Sequence, residues 1–306
     1  MAFTAKDVQA LRERTNCGMM DCKKALTATD GDMENAIEFL REKGLAAQAK
    51  KAGRIAAEGL VYTLIDPATK KGVIIEVNIE TDFAAKNQRF KDFVALCAKT
   101  ILEKNPATVA ELLETKASGS EETINEVLQG IILVISENIQ VRRFEVLEGN
   151  LFSYTHGGGR IGVLVNFKVD DAVFGTPAFE EYAKDIAMQV AAANPSFLDK
   201  NSVDQTELDK EREILRIQAI NEGKPEAIVE KMLAGRLNKY YKEVCLTEQP
   251  FIKDDEISVA KYTQNVAKEL GSDIQIVKFV RFEVGEGIQK KADDFASEVA
   301  AMAGTK

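Results

Sequence analysis

The chain has 306 residues, enough for one large domain or two to three ordinary ones, and its 45% hydrophobic content is ample for a packed core. With 49 acidic against 40 basic residues the formal net charge is −9, which argues against a protein whose main work is gripping a phosphate backbone. No segment approaches the length of a membrane span, and the opening Met1-Ala2-Phe3-Thr4-Ala5-Lys6-Asp7 carries no apolar signal core or transit pattern, so a cytoplasmic protein is expected.

Residues 4–43 read as a compact three-helix unit. Thr4 can cap a first helix bearing Val8 and Leu11, and a turn at Thr15-Asn16-Cys17-Gly18 leads to a second helix from Met19 to Ala28. Thr29-Asp30-Gly31 breaks that helix, and Asp32 caps a third bearing Ala36, Ile37, Phe39 and Leu40, expected to stop near Gly44. About forty residues is marginal for independent stability, so this unit is expected to lean on another part of the chain. Arg41-Glu42-Lys43 and Lys50-Lys51-Ala52-Gly53-Arg54 read as a solvated helix end and linker, with a charged contact to an acidic partner as the alternative. Cys17 and Cys22 have no matching Cys or His pair downstream for a tetrahedral zinc site, so free thiols are expected at 17, 22, 97 and 245.

The run Gly72 to Ile79 alternates Val73, Ile75, Val77 and Ile79, the period of a half-buried strand. It ends in Thr81-Asp82-Phe83-Ala84-Ala85-Lys86-Asn87, with a helix pattern resuming near Phe90. A large apolar ring in a polar connection is unusual, and the residues alone leave two readings open. Phe83 either folds back into the core, the commoner fate of such a ring, or projects outward to enter a partner.

The order of strands and helix from Gly59 to Pro106 recurs from Gly149 to Pro195. Gly72-Val73-Ile74-Ile75 pairs with Gly162-Val163-Leu164-Val165, and Tyr62 with Phe152. Once one residue is dropped, Phe90, Phe93 and Asn105-Pro106 fall on Phe179, Tyr182 and Asn194-Pro195, which argues for a duplicated α+β subdomain. Turn signals at Asp66-Pro67 and His156-Gly157-Gly158-Gly159 fit a hairpin in each copy. Two helices are expected between the copies, at Val109–Leu113 and Thr123–Ile135. The stretch Glu207 to Val244, broken at Gly223-Lys224-Pro225, suits an antiparallel helical hairpin, with Leu208, Leu215 and Ile217 facing Ile228, Met232, Leu233 and Leu237. A final strand spans Ile276 to Val284, and a short helix is expected from Asp293 to Met302.

Chemistry is scarce. The single histidine, His156, precedes Gly157-x-Gly159-x-x-Gly162, which spells a dinucleotide-binding pattern but precedes a strand, whereas a phosphate cradle follows a strand and opens a helix. No strained nucleophile turn surrounds His156, and the carboxylates follow helix periodicity. No cofactor, metal or catalytic set is therefore expected. The outward candidates are Met19-Met20, Asp82-Phe83 and the helical hairpin. For Met19-Met20 a place in the core is equally open, although adjacent methionines on one helix cannot both point inward equally and flexible methionine is well suited to a partner groove.

Several motifs in order then carry a family resemblance. Leu11-Arg12-Glu13-Arg14-Thr15 with Gly18-Met19-Met20-Asp21-Cys22-Lys23-Lys24-Ala25-Leu26 resembles the N-terminal signature of the bacterial elongation factor Ts family. Thr81 to Asn87 resembles its second signature. Glu137-Asn138-Ile139 with Arg142-Arg143, His156 with Gly159-Arg160-Ile161-Gly162-Val163-Leu164-Val165, Gly223-Lys224-Pro225, Gln249-Pro250-Phe251 and Arg281-Phe282-Glu283-Val284-Gly285-Glu286-Gly287 complete the set.

The resemblance implies guanine-nucleotide exchange on elongation factor Tu, in its GDP-bound and nucleotide-free states, with no direct nucleic acid, membrane or small-molecule substrate. It implies an α+β architecture: an N-terminal ubiquitin-associated-like helical module with linker (1–55), core subdomain N (56–148), core subdomain C (149–204 and 245–288), a coiled-coil protrusion (205–244) and a C-terminal module (289–306). Carried over by motif, Arg12, Met19 and Met20 dock on the nucleotide-binding domain of the GTPase. Asp82 and Phe83 reach its magnesium region, Phe83 projecting outward as a wedge between two of its helices, with Thr81 and Ala84 also among the partner-binding residues. Ile135 and Ser136 line the same contact, and His156 touches the GTPase from the second subdomain. Three departures stand out: Asn16-Cys17 within a turn that usually reads Thr-Gly-Ala-Gly, Ala84 where valine is common, and Ser136 where glycine is common. The competing readings are an adaptor resting on residues 4–43 and, more weakly, an enzyme built on His156.

Overall fold

The computed structural model describes residues 3–15, 17–223 and 225–289. Helices and strands mix along the chain, as an α+β protein requires. Strands β1 (Glu58–Asp66), β2 (Lys71–Ile79) and β3 (Ile139–Glu148) form one sheet in the order β1-β2-β3. Strands β4 (Asn150–His156), β5 (Ile161–Lys168) and β8 (Gln275–Glu283) form a second in the order β4-β5-β8, and β6 (Pro250–Phe251) pairs with β7 (Asp254–Ser258). The described residues divide into two compact units: those up to Leu60 with Glu76–Arg143 and those from Glu283, and Val61–Ile75 with those from Phe144 to Phe282.

In the first unit, α1 (Ala5–Thr15), α2 (Met19–Ala28) and α3 (Met33–Lys51) bury Val8, Leu11, Cys17, Cys22, Ala25, Leu26, Ala36 and Leu40 together. Asp32 caps α3 by accepting from the Asn35 N–H at 2.9 Å. The helix does not stop near Gly44. It runs to Lys51, because the missing Cβ at Gly44 lets it approach α7 (Ile124–Ile135) closely: a Cβ there would lie 3.1 Å from that of Gln129. Gln48 bonds Asn125 and Gln129, each at 3.3 Å, so α7 is the surface on which the three-helix unit leans. Arg41 and Lys43 are accordingly mid-helix, paired with Glu126 (3.3 Å) and Asp21 (2.8 Å) rather than forming a solvated helix end.

Strand β2 is buried on both faces from Gly72 to Ile79, not on one face as the alternation predicts. Within this run the fully buried Glu76 accepts from Arg142 (3.0 Å), Arg143 (2.7 Å), the Asn78 side chain (3.1 Å) and the Gly285 N–H (2.8 Å). Two guanidinium groups and two further donors satisfy the buried carboxylate. The chain then passes through α4 (Asp82–Ala85) into α5 (Gln88–Lys104), followed by α6 (Val109–Glu114).

The second unit centres on α8 (Pro177–Ala193) packed over β4 and β5, with Phe167, Phe179, Tyr182, Ile186 and Val190 in its core. Helices α5 and α8 both have 17 residues and both end on an asparagine in the left-handed region, Asn105 (φ 57°) and Asn194 (φ 46°). Glycines at matching strand positions make reciprocal close approaches. A Cβ on Gly72 would meet Leu151 and Leu164, and one on Gly162 would meet Val61 and Ile74, the counterparts of those leucines. The third strands also match: Ile139-Gln140-Val141 and Arg143-Phe144-Glu145-Val146 around β3 have counterparts in Ile274-Gln275-Ile276 and Arg281-Phe282-Glu283-Val284 around β8. The third strands lie outside 59–106 and 149–195, so the likeness of the two halves extends beyond the repeat read from the sequence.

Helices α9 (Gln205–Asn221) and α10 (Glu226–Val244) form a hairpin whose core is Leu215, Ala219, Val229 and Leu233. Ile217 and Ile228, expected inside, are exposed, because the i, i+4 pairs 215/219 and 229/233 already fill the seam. Lys224 at the turn lies outside the described residues, as does the helix expected from Asp293 to Met302. Helix α11 (Val259–Leu270) precedes β8 and ends on Gly271 in the left-handed region (φ 63°).

Candidate partner-binding site

Helix α2 turns Cys22, Ala25 and Leu26 into the three-helix core and leaves the two residues of its N-terminus outside: Met19 is 51% and Met20 62% exposed. Arg12 is exposed on α1. Cys17, at the unusual turn, is buried in the same core, and burial pushes its thiol pKa up, as it does for Cys22 and Cys97; that of Cys245 rises to about 11. These four thiols are free and poorly disposed to react.

The connection after β2 forms the single-turn helix α4. Thr81 is its N-cap, its hydroxyl accepting from the Ala84 N–H at 3.2 Å. Phe83 is 81% exposed, the most exposed large hydrophobic side chain among the described residues. Lys86 lies one turn on from Asp82: its Nζ is 2.8 Å from the carboxylate and 5.6 Å from the centre of the Phe83 ring. The hydrogen bond from Lys86 holds the Asp82 carboxyl below the usual carboxylate range. Ala84 is partly buried, and no residue of α4 is fully buried.

Ile135 ends α7 and is partly buried, while Ser136 caps it in the left-handed region (φ 65°) and is exposed. That conformation gives a backbone reason why glycine suits this position. Ser136 turns the chain so that Glu137 reaches Thr81, accepting from its N–H at 3.0 Å and its hydroxyl at 2.8 Å. The structure thus brings Thr81–Ala84 and Ile135–Ser136 into one neighbourhood. Glu137 and Lys86 are functional candidates that the sequence reading did not single out. Both lie inside family motifs, Lys86 in Thr81 to Asn87 and Glu137 in Glu137-Asn138-Ile139, but the motifs gave neither residue a role. The i, i+4 spacing of Asp82 and Lys86 marks their pairing, whereas nothing in the sequence pairs Glu137 with Thr81.

In the second unit His156 ends β4, exposed, with Nδ1 3.1 Å from the Tyr154 hydroxyl. Gly157, Gly158 and Gly159 all have positive φ (60°, 68° and 96°) in the turn to β5, where His156 lies opposite Ile161. These glycines shape a β-hairpin and open no helix N-terminus toward a phosphate. Among the described residues no three His, Cys, Asp or Glu side chains gather as a metal site, and no helix is long and apolar enough to cross a membrane.

The family model described as Elongation factor TS matches residues 80–286. The chain is 56% identical over 305 residues to elongation factor Ts of Clostridium perfringens strain ATCC 13124, covering 99% of each chain. It has the same identity and coverage with elongation factor Ts of Clostridium botulinum strain Eklund 17B. Elongation factor Ts of Clostridium kluyveri strain ATCC 8527 is 54% identical over 301 residues, 97% of each chain. A match over most of the length at more than half identity is decisive, and the chain belongs to the elongation factor Ts family.

Proposed function

We propose that the chain is a guanine-nucleotide exchange factor for elongation factor Tu in translation elongation, working in the cytoplasm on the GDP-bound and nucleotide-free GTPase. Phe83 is the group that disturbs the magnesium and phosphate site of that partner. The observation that carries this reading is a large apolar ring held four-fifths exposed on a capped turn in a member of the elongation factor Ts family. Burying such a ring in a partner takes its apolar surface out of water, which is favourable.

Exchange forms and breaks no covalent bond, so the chain needs no general base or nucleophile. In the GTPase, magnesium neutralises the phosphate charge, and displacing it weakens nucleotide binding. Burying one phenylalanine ring contributes about 1.5–3 kcal/mol, and each tenfold loss of nucleotide affinity takes about 1.4 kcal/mol. Phe83 can supply one to two decades. A larger effect needs differential binding by the other members of the surface: Arg12, Met19 and Met20 on the nucleotide-binding domain, Thr81, Asp82 and Ala84 around the ring, Ile135 and Ser136 beside it, and His156 from the second subdomain.

The same reading divides the chain into a ubiquitin-associated-like module (1–55), duplicated core subdomains (56–148, and 149–204 with 245–288), a coiled-coil protrusion (205–244) and a C-terminal module (289–306). The equal helices with matching asparagine caps and the reciprocal glycine contacts support the duplication.

The test is release of labelled GDP from elongation factor Tu. The chain accelerates it, and by linkage excess GDP dissociates the complex of the two proteins to the same degree. No acceleration by the folded chain overturns the reading. Complete loss with His156→Ala despite normal complex formation would instead revive a chemical role for the imidazole.

A further inference from the structure

We propose that Glu137 is the positioning residue of the Phe83 turn, its carboxylate acting through Thr81 to set the direction in which the ring is presented. The inference rests on the exchange reading and deepens it.

Helix α4 has four residues and buries none of them fully, so neither its own ladder nor a buried side chain of its own fixes its orientation. Its start is fixed from outside. One Glu137 oxygen accepts from the Thr81 N–H at 3.0 Å and the other from the Thr81 hydroxyl at 2.8 Å. Having donated its proton to Glu137, that hydroxyl presents its lone pairs to the Ala84 N–H at 3.2 Å, so the carboxylate orients the cap itself. Charge-assisted bonds of this kind are stronger and more directional than neutral ones.

The contact is matched in the opposite sense. Glu80, the residue before Thr81, accepts from the N–H of Asn138, the residue after Glu137, at 2.6 Å. The neighbouring ends of β2 and β3 therefore each lend a carboxylate to the other's backbone. Asn138 Nδ2 donates to the Arg54 carbonyl at 2.7 Å, and the Arg54 guanidinium lies 3.5 Å from Glu80, which closes the network. A ring that must enter a partner pocket gains most when its carrier is ordered beforehand, since ordering it on contact subtracts from binding. The crossed glutamates supply that order, and Glu137 holds the arm that bears the ring.

The experiment uses the full chain and GDP release from elongation factor Tu, recording the plateau rate, the half-saturating concentration and the melting temperature. Glu137→Ala lowers the plateau rate roughly tenfold, as expected when a small misplacement spoils a reacting geometry. Glu137→Gln, which keeps one of the two acceptor oxygens and loses the charge, restores part of it. Glu137→Ala combined with Phe83→Ala is no slower than Phe83→Ala alone, because the two residues act as one unit. Multiplicative losses in the double variant overturn the assignment by showing a general structural role. Parental exchange by Glu137→Ala beside a slow Phe83→Ala overturns the assignment alone, whereas parental exchange by Phe83→Ala overturns the wedge and the assignment together.

Discussion

Two connections in this molecule leave the second strand of a hairpin and enter a 17-residue helix, and they treat their phenylalanine in opposite ways. After β5, Phe174 turns inward and packs on Phe179 with ring centres 5.5 Å apart. The backbone N–H groups of Val173 and Phe174 both donate to the Asp170 carbonyl, a turn that folds the segment back on the core. After β2, Phe83 stands in solvent on a turn held by Glu137 and flanked by Lys86. The two fates open to Phe83 from its sequence are thus both realised, one in each connection. What separates them is the surroundings of the ring rather than the ring itself: packing aromatics in one case, a carboxylate clasp in the other.

That contrast can be broken at either phenylalanine. Phe174→Ala removes a partly buried ring from the second core and lowers stability by about 2–3 kcal/mol, measured by denaturant unfolding, with exchange per folded molecule unchanged. Phe83→Ala, at an exposed site, changes stability by no more than about 0.5 kcal/mol in the same measurement. The helix caps offer a second comparison. Helix α11 ends on left-handed Gly271 and α7 on left-handed Ser136, so Ser136→Gly relieves backbone strain and raises stability by about 0.5–1 kcal/mol.

The smallest effect concerns Asp82. Its carboxyl titrates below the usual range because Lys86 bonds the charged form, so the pair is intact above the ordinary carboxylate pKa and is lost as pH falls through the depressed value. Lys86→Met returns the Asp82 pKa toward its ordinary value, seen by NMR titration of the carboxyl carbon.

The residues legible in the sequence are those whose cause is local. Asp32 caps the helix that starts at Met33, Asn105 and Asn194 each precede a proline at a helix end, and Ala36 and Leu40 follow helix spacing into the core. What escaped reading depends on partners distant in the chain. Gly44 signals a stop by its own propensity but continues a helix because Gln129 needs the room. Glu76 falls on the face that the Val73, Ile75, Val77, Ile79 alternation would leave to solvent and is still buried, because Arg142 and Arg143 pair with its carboxylate. Glu137 stands in a family motif, Glu137-Asn138-Ile139, but its contact emerges only beside Thr81, 56 residues earlier. Within the candidate site, the exposed Met19, Met20 and Phe83 were legible by residue type and motif, whereas the clasp that holds Phe83 was not.

The most direct test of the central claim is the plateau rate of GDP release from elongation factor Tu at saturating concentrations of the parent chain and of Phe83→Ala. If Phe83 is the wedge, the variant still binds but its plateau falls roughly ten- to a hundredfold, the range set by burying one aromatic ring. A folded Phe83→Ala chain that releases GDP at the parental plateau would contradict the account.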